Sequence, residues 1–270
     1  MAIIEYNSDF EKRYVELAPA ALAFERLLEC QLYLGRKLEK PVLDVGCGDG
    51  LFAKILFKEP VDLGIDPDPS EIALAAASGA YHEVITCFGD AVPKADSSFS
   101  TAFSNSVLEH IENIEPVLSE VHRLLKPHGI FIVTIPTDLF ERYSLIARIL
   151  FGLGWTRIGE RYCRLYNRFW KHFHYYDPDG WKQLFGSAGF TVLEQSTYAQ
   201  KNVCTAHDVL TLCALPSLVS KRLFKRWILF PHLRRLWAPL IGRMGRRIRL
   251  QEEGDGPGGL CFFVLEVSEK

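Results

Sequence analysis

From residue 41 onward, short runs of β-branched and apolar residues alternate with longer stretches whose apolar positions recur at helical spacing. Pro41-Val-Leu-Asp-Val45 predicts a strand, Leu51 to Phe57 a helix, and Val61 to Asp66 a second strand. Asp68-Pro69-Ser70-Glu71 predicts a helix start, with Asp as the cap, Pro at the first helical position and Glu completing the first turn; that helix runs through alanine-rich sequence to Gly79. Tyr81 to Cys87 and Phe99 to Asn105 predict further strands, Ile114 to Leu125 a helix closed by Lys126-Pro-His-Gly129, and Ile130 to Ile135 a strand apolar on both faces. Strands alternating with helices imply an α/β, doubly wound, mostly parallel sheet. Ahead of it, Ala20 to Leu38 predicts an amphipathic helix lying over the sheet.

The regularity fails twice. Residues 138–176 are aromatic and basic, with Tyr162, Tyr166, Phe169 and Trp170 among six arginines, and do not predict a strand. Asp177-Pro178 then opens a capped helix ending at Gly189, and Phe190 to Tyr198 returns as a strand. A second irregular stretch covers 202–251; Gly254 to Gly259 predicts a turn, and Gly258 to Val267 a last strand. The chain is therefore expected to be one domain over 1–270: a helical cover (1–40), a core (41–135), an aromatic-basic insertion (138–176), more core (177–201), a basic insertion (202–251) and the final strand (258–270).

Composition sharpens this picture at one point. With 270 residues, 48% of them hydrophobic, the chain is long enough for one sizeable core. Its net charge of −2 hides a division, because ten basic and no acidic residues lie between Val209 and Gln251, leaving 21 basic against 33 acidic elsewhere. The balance excludes a histone-like or acidic-tail protein. The N-terminal residues reach acids at once and lack a secretory pattern, and the longest apolar run, Val209 to Ser220, is too short for a spanning helix and contains Pro216. Seven scattered cysteines without a C-x-x-C pair predict reduced, mostly buried thiols and a cytoplasmic location.

The chemistry concentrates in Val42-Leu-Asp-Val-Gly-Cys-Gly-Asp-Gly50. A strand ending in closely spaced glycines before a helix lets a ligand approach the backbone, and the helix start offers unpaired N–H groups. Asp44 and Asp66 are expected at the carboxyl ends of neighbouring strands, able to accept from ligand NH or OH groups. The dinucleotide-binding spacing G-x-G-x-x-G fails, because Leu51 stands at the third glycine. Asp44 and Asp49 would also meet a pyrophosphate there, whereas a cation carrying an ammonium and a sulfonium is favoured.

That run resembles motif I of the class I S-adenosylmethionine-dependent methyltransferases, of the quinone-biosynthesis-like type. Gly64-Ile-Asp66, Gly89-Asp-Ala91 and Ser104-Asn-Ser-Val-Leu-Glu-His110 resemble the family's later motifs in order, as do His174 to Pro178 and Ala188-Gly-Phe190. The resemblance implies a Rossmann-like seven-stranded sheet with an antiparallel last strand and S-adenosyl-L-methionine as cofactor. It implies that Asp44 anchors the methionine ammonium, that Gly46, Cys47 and Gly48 line that moiety, and that Asp66, with Pro67 beside it, binds the ribose. Asp90 and the Ala91 N–H would contact adenine, and Asn105 and Ser106 would close the pocket below the sulfonium. Asp49 departs from the usual small or hydroxyl residue and is read as solvated; Cys47 is read as structural.

Methyl transfer needs an aligned acceptor, and a base only when the acceptor loses a proton. His110 is the candidate catalytic base for an oxygen acceptor, with a surface or helix-capping histidine as the competing reading. Glu109 alone does not make a site, and His172-x-His174 is read as packing in an aromatic segment, so no metal is expected. The absence of an N-P-P-Y tetrapeptide or a Pro-Cys pair disfavours nucleic acid. Within Lys221 to Phe230, helical spacing sets Lys221, Arg222, Lys225 and Arg226 opposite Leu223, Phe224, Trp227 and Ile228, the layout of a helix on an anionic membrane surface or of a plain cover helix. The expectation is methylation, more at oxygen than at carbon, of a small or lipid-linked hydrophobic acceptor by a cytoplasmic, peripheral membrane enzyme. The alternative is a non-catalytic membrane-associated or scaffold protein that keeps the pocket without turnover; oligomeric state is left open.

Overall fold

The computed structural model describes residues 2–224, 227–228 and 256–268. Seven strands form one sheet: β1 (Val42–Val45), β2 (Val61–Asp66), β3 (Tyr81–Thr86), β4 (Phe99–Asn105), β5 (Leu125–Pro136), β6 (Phe190–Tyr198) and β7 (Leu260–Val267). Their order across the sheet is β3-β2-β1-β4-β5-β7-β6. The first five pair in parallel, and β7 inserts antiparallel between β5 and β6, as the family resemblance implies. The order reverses direction between β1 and β4, and in open α/β sheets that switch point is where ligands bind.

The strand period of two divides the core into two layers. Phe103, Ile132 and Phe262 face one way, where α1 (Phe10–Leu17), α2 (Ala20–Tyr33) and α3 (Leu51–Leu56) cover them. Their neighbours Ala102, Phe131, Val133 and Phe263 face the other, under α5 (Ile114–Leu124) and α8 (Pro178–Ser187). The predicted caps form: the Asp68 side chain accepts from the Ser70 N–H at the start of α4 (Pro69–Ser78), and Asp177 accepts from Gly180 N–H at the start of α8.

Three elements differ from expectation. Lys126-Pro-His-Gly129 does not close a helix; it opens β5, with a register shift where Phe99 and Thr101 pair across it. The aromatic-basic insertion is a helical hairpin, α6 (Leu145–Gly152) and α7 (Thr156–Trp170), closely packed where Gly159 meets the Phe151 ring. The stretch expected to be irregular from 202 begins with a long helix, α9 (Lys201–Phe224). Its sequence does not segregate polar from apolar residues onto separate faces, so periodicity does not reveal it. Lys225, Arg226 and the basic residues from 234 to 249 lie outside the described residues.

Candidate functional site

β1 ends in a turn that only glycine can build at its first position. Gly46 has φ +82°, and a Cβ placed there would run into the Val107 side chain. The Gly46 and Cys47 N–H groups both donate to the Ile65 carbonyl at 2.9 Å, locking the turn to β2. Asp66 completes the lock: its carboxylate accepts from the Gly48 N–H at 3.0 Å and from the Asp68 N–H at 2.9 Å. Asp44 is buried and accepts from the Tyr81 hydroxyl at 2.7 Å. Burial pushes its carboxyl up to about 7, with Asp66 adding to the rise and the Tyr81 bond and Arg26 opposing it. Burial likewise raises the Cys47 thiol, with Asp44 and Asp66 adding, which fits an inert side chain.

Asp49 is not merely solvated. It accepts from the Leu51 N–H at 3.1 Å and from the Trp227 indole N–H at 2.9 Å, and pairs with Lys221 at 3.3 Å. Lys221 also reaches Glu71 at 3.0 Å and stacks 4.4 Å over the Trp227 ring. The expected opposition of Lys221 and Trp227 on two helix faces therefore does not occur. Trp227 is not helical, so helical spacing from Lys221 does not carry through to it, and both side chains turn to the motif I loop.

Three cavities meet above the switch point. One of about 420 Å³ is lined by Asp66, Pro67, Phe88, Gly89 and Asp90. A second, of about 560 Å³, is lined by Asp44, Gly46, Cys47, Gly48, Asn105 and Ser106 among others. The third, of about 220 Å³, is mostly apolar, with Leu22, Phe140, Tyr166, Trp170 and Leu260 in its wall. His110 lines all three, which sets it where the first two join the third. Of the residues expected to bind cofactor, only Ala91 lies outside these walls; its N–H donates to the Phe88 carbonyl at 3.3 Å.

The apolar cavity holds a polar cluster. Glu25 pairs with His207 at 2.9 Å; burial opposes its ionisation, but the His207 bond and the charges of Arg26 and His172 hold its carboxyl down to about 2. Beside it lie Glu109, His110 and His172, each offering a ligand atom within 4.8 Å of the others. Burial pushes Glu109 up to about 8 and, with His110 nearby, pulls His172 down to about 4. The two histidines of the H-x-H pair diverge. His174 packs, its Nε2 2.9 Å from the Ile111 carbonyl, whereas His172 lines the cavity.

Sequence reasoning missed the contribution of α2. Glu29 is fully buried and accepts from Arg26 at 2.6 Å, Asn105 at 2.6 Å and Ser106 at 2.8 Å, so it fixes both residues expected below the sulfonium. The available signal was an acid among Phe24, Leu28 and Tyr33 on the buried side of an amphipathic helix. Tyr81, Phe88 and His207 carried no comparable signal.

A family profile described as a methyltransferase domain matches residues 14–195. The chain is 28% identical over 156 residues to an uncharacterized methyltransferase of Mycobacterium sp. (strain JLS), covering 57% of this chain and 60% of that one. It is 32% identical over 168 residues to one from Mycobacterium bovis, covering 60% and 62%. The match thus spans about three fifths of the length of these relatives. Among solved structures, an S-adenosylmethionine-dependent methyltransferase from Thermotoga maritima superposes with TM-score 0.54 at 18% identity, over 92% of this chain and 91% of its own, a likeness of fold. Motif order, sheet topology and the family profile agree: this chain belongs to the class I S-adenosylmethionine-dependent methyltransferases.

Proposed function

We propose that the chain transfers the methyl group of S-adenosylmethionine to an oxygen of a hydrophobic, small or lipid-linked acceptor. The observation that carries this reading is the junction at His110, where the cavity lined by Asp66 and Asp90 and the cavity of the motif I loop both reach a third, walled by aromatic residues. The residues present fit the cofactor. Adenine would lie against Phe88 and Asp90, the ribose hydroxyls would meet the free lone pairs of Asp66, and the ammonium would meet Asp44. The cofactor supplies an electrophilic methyl on a sulfonium; the protein aligns an oxygen with it and excludes water. The S–CH3 bond breaks as the O–CH3 bond forms, and the acceptor's proton is lost beside His110.

The cofactor half is tested by calorimetric titration with S-adenosylhomocysteine between pH 6 and 8. Asp44 must be a carboxylate to hold an ammonium, and its raised pKa means that acidification below about pH 7 protonates it. Affinity is therefore expected to be level above pH 7 and to fall toward tenfold per unit below it, about 1.4 kcal/mol per unit, with proton release on binding. Asp44→Asn should weaken binding and flatten that slope. A wild-type affinity independent of pH over this range would reject the ammonium assignment.

For the acceptor half, we infer that the chain meets its acceptor at an anionic membrane surface. Support comes from the α6–α7 hairpin, which exposes Ile149, Leu153, Trp155, Ile158 and Phe169 next to Arg157, Arg161, Arg164 and Arg168, while Tyr166 and Trp170 line the apolar cavity. Among the described residues no helix is long and apolar enough to cross a membrane. Radiolabelled methyl from the cofactor is expected in a lipid extract rather than an aqueous one. Anionic vesicles should sediment the protein, and the double variant Trp155→Ser/Phe169→Ser should lose that association. Label confined to the aqueous extract, with no vesicle binding, would overturn this reading.

A further inference from the structure

The geometry points to a divalent transition-metal site formed by Glu109, His110 and His172 in the wall of the apolar cavity, its open coordination positions facing the acceptor.

The three residues come from a short 3-10 turn, Leu108–His110, and from the loop after α7, laced together by backbone. The Phe173 N–H donates to the Glu109 carbonyl at 2.8 Å, and His174 Nε2 meets the Ile111 carbonyl at 2.9 Å, so the segment carrying His172 is held against the segment carrying Glu109 and His110. Glu109 is buried, 3% exposed, and its Oε2 has no hydrogen-bond partner; the buried Nδ1 of His172 has none either. Buried polar atoms are nearly always paired, so two orphans in one wall mark a place where a partner is missing. The nearby Arg26 does not fill it, being held by Glu29 at 2.6 Å and by Glu25 at 3.7 Å. His207 is likewise taken up by Glu25.

His110 is oriented as a ligand. Its Nδ1 lies 3.2 Å from the Lys171 carbonyl, which takes an N–H and leaves the Nε2 lone pair free, and that Nε2 is 3.8 Å from Glu109 Oε1. Two imidazoles and one carboxylate suit zinc, iron(II), cobalt(II) or manganese(II) better than magnesium or calcium, which prefer all-oxygen shells. Ligand atoms around a tetrahedral zinc stand roughly 3.4 Å apart, so rotation of Glu109 and His172 by about an ångström completes the set. Three protein ligands leave at least one position open.

The consequence for chemistry rests on the O-methylation reading. A hydroxyl of the acceptor binds the open position, loses its proton to solvent past the exposed His110 edge, and attacks as a metal-held alkoxide or phenolate. The S–CH3 bond breaks, the O–CH3 bond forms, and the sulfonium charge is cancelled by the oxygen's electron pair. His110 then acts as a ligand, not as a proton acceptor.

The test is titration of chelator-treated protein with cobalt(II) chloride, read by visible absorption, and with zinc chloride, read by calorimetry. One equivalent is expected to bind, with d–d bands of a nitrogen-oxygen site. Glu109→Gln and His172→Ala should each weaken it by more than about tenfold, while His82→Ala, far from the cavity wall, should not. Glu109 and His172 line only the apolar cavity, so unchanged S-adenosylhomocysteine affinity certifies that both variants fold. No saturable equivalent, or wild-type binding in both variants, overturns the proposal. Metal binding is measured without cofactor, so its failure leaves the methyl-transfer reading standing, and failure of methyl transfer leaves the metal result readable.

Discussion

Gly46→Ala is expected to abolish measurable cofactor binding and to destabilise the protein by about 2–5 kcal/mol, the sum of a left-handed backbone at a residue with a Cβ, about 1–2 kcal/mol, and an overlap in a packed site, about 1–3 kcal/mol. The two contributions separate physically. Gly46 has φ +82°, which alanine resists wherever it stands, and its added methyl would occupy the space of the Val107 side chain. Val107 lines both cavities assigned to the cofactor, so pushing it aside also disturbs their walls. The double variant Gly46→Ala/Val107→Ala should therefore recover the overlap part and not the backbone part, a coupling readable from urea midpoints of the four proteins in the cycle. A single variant with wild-type midpoint and wild-type affinity for S-adenosylhomocysteine would show that the turn is not as constrained as its dihedral angle indicates.

Trp181→Ala should cost about 3–5 kcal/mol without touching any cofactor residue. Trp181 is fully buried, stacks on Phe185 at 6.0 Å, meets Tyr176 edge-on at 5.1 Å, and donates its indole N–H to the Pro136 carbonyl at 2.9 Å. It thus pins α8 to the end of β5. Trp181→Phe keeps most of the ring but leaves that carbonyl unpaired, a loss of about 1–3 kcal/mol. Because Pro136 also lines the apolar cavity, the Phe variant is expected to alter acceptor turnover while cofactor affinity stays at the wild-type value. Denaturant titration gives the first number, and calorimetry beside a methyl-transfer assay gives the second. An Ala variant as stable as wild type would remove the indole from the list of core anchors.

How far the sequence speaks follows the range of its signals. β1 to β4, α4 with its Asp68 cap and the Gly46 turn are written in local patterns of two to ten residues, and the structure has them where the pattern does. α9 is not, because its polar and apolar residues do not fall on separate faces and leave no alternation to read. The residues of the motif I cavity were legible because chemistry and chain neighbourhood coincide there. The apolar cavity was not, since Glu25, Glu109, His172 and His207 are brought together by packing alone, across 182 positions of chain. Asp49 shows the same limit from the other side: its partners Lys221 and Trp227 are far along the chain, so a reading of its neighbours returns only solvent.

The buried Glu29 has a consequence for how this architecture diverges. One carboxylate on α2 holds Arg26 and, at the end of β4, Asn105 and Ser106, so α2 is part of the pocket floor and not a cover laid over a finished core. The walls of the two cavities around Asp66 and the motif I loop come mainly from residues 44–117, with Tyr14, Leu22, Arg26 and Lys221 added to the second, while α2, α7 and α9 contribute to the third. Exchange of these helices would therefore reshape the aromatic cavity and the motif I cavity together, and the floor made by Asn105 and Ser106 would keep its support only where the incoming helix carries an acid at the position of Glu29.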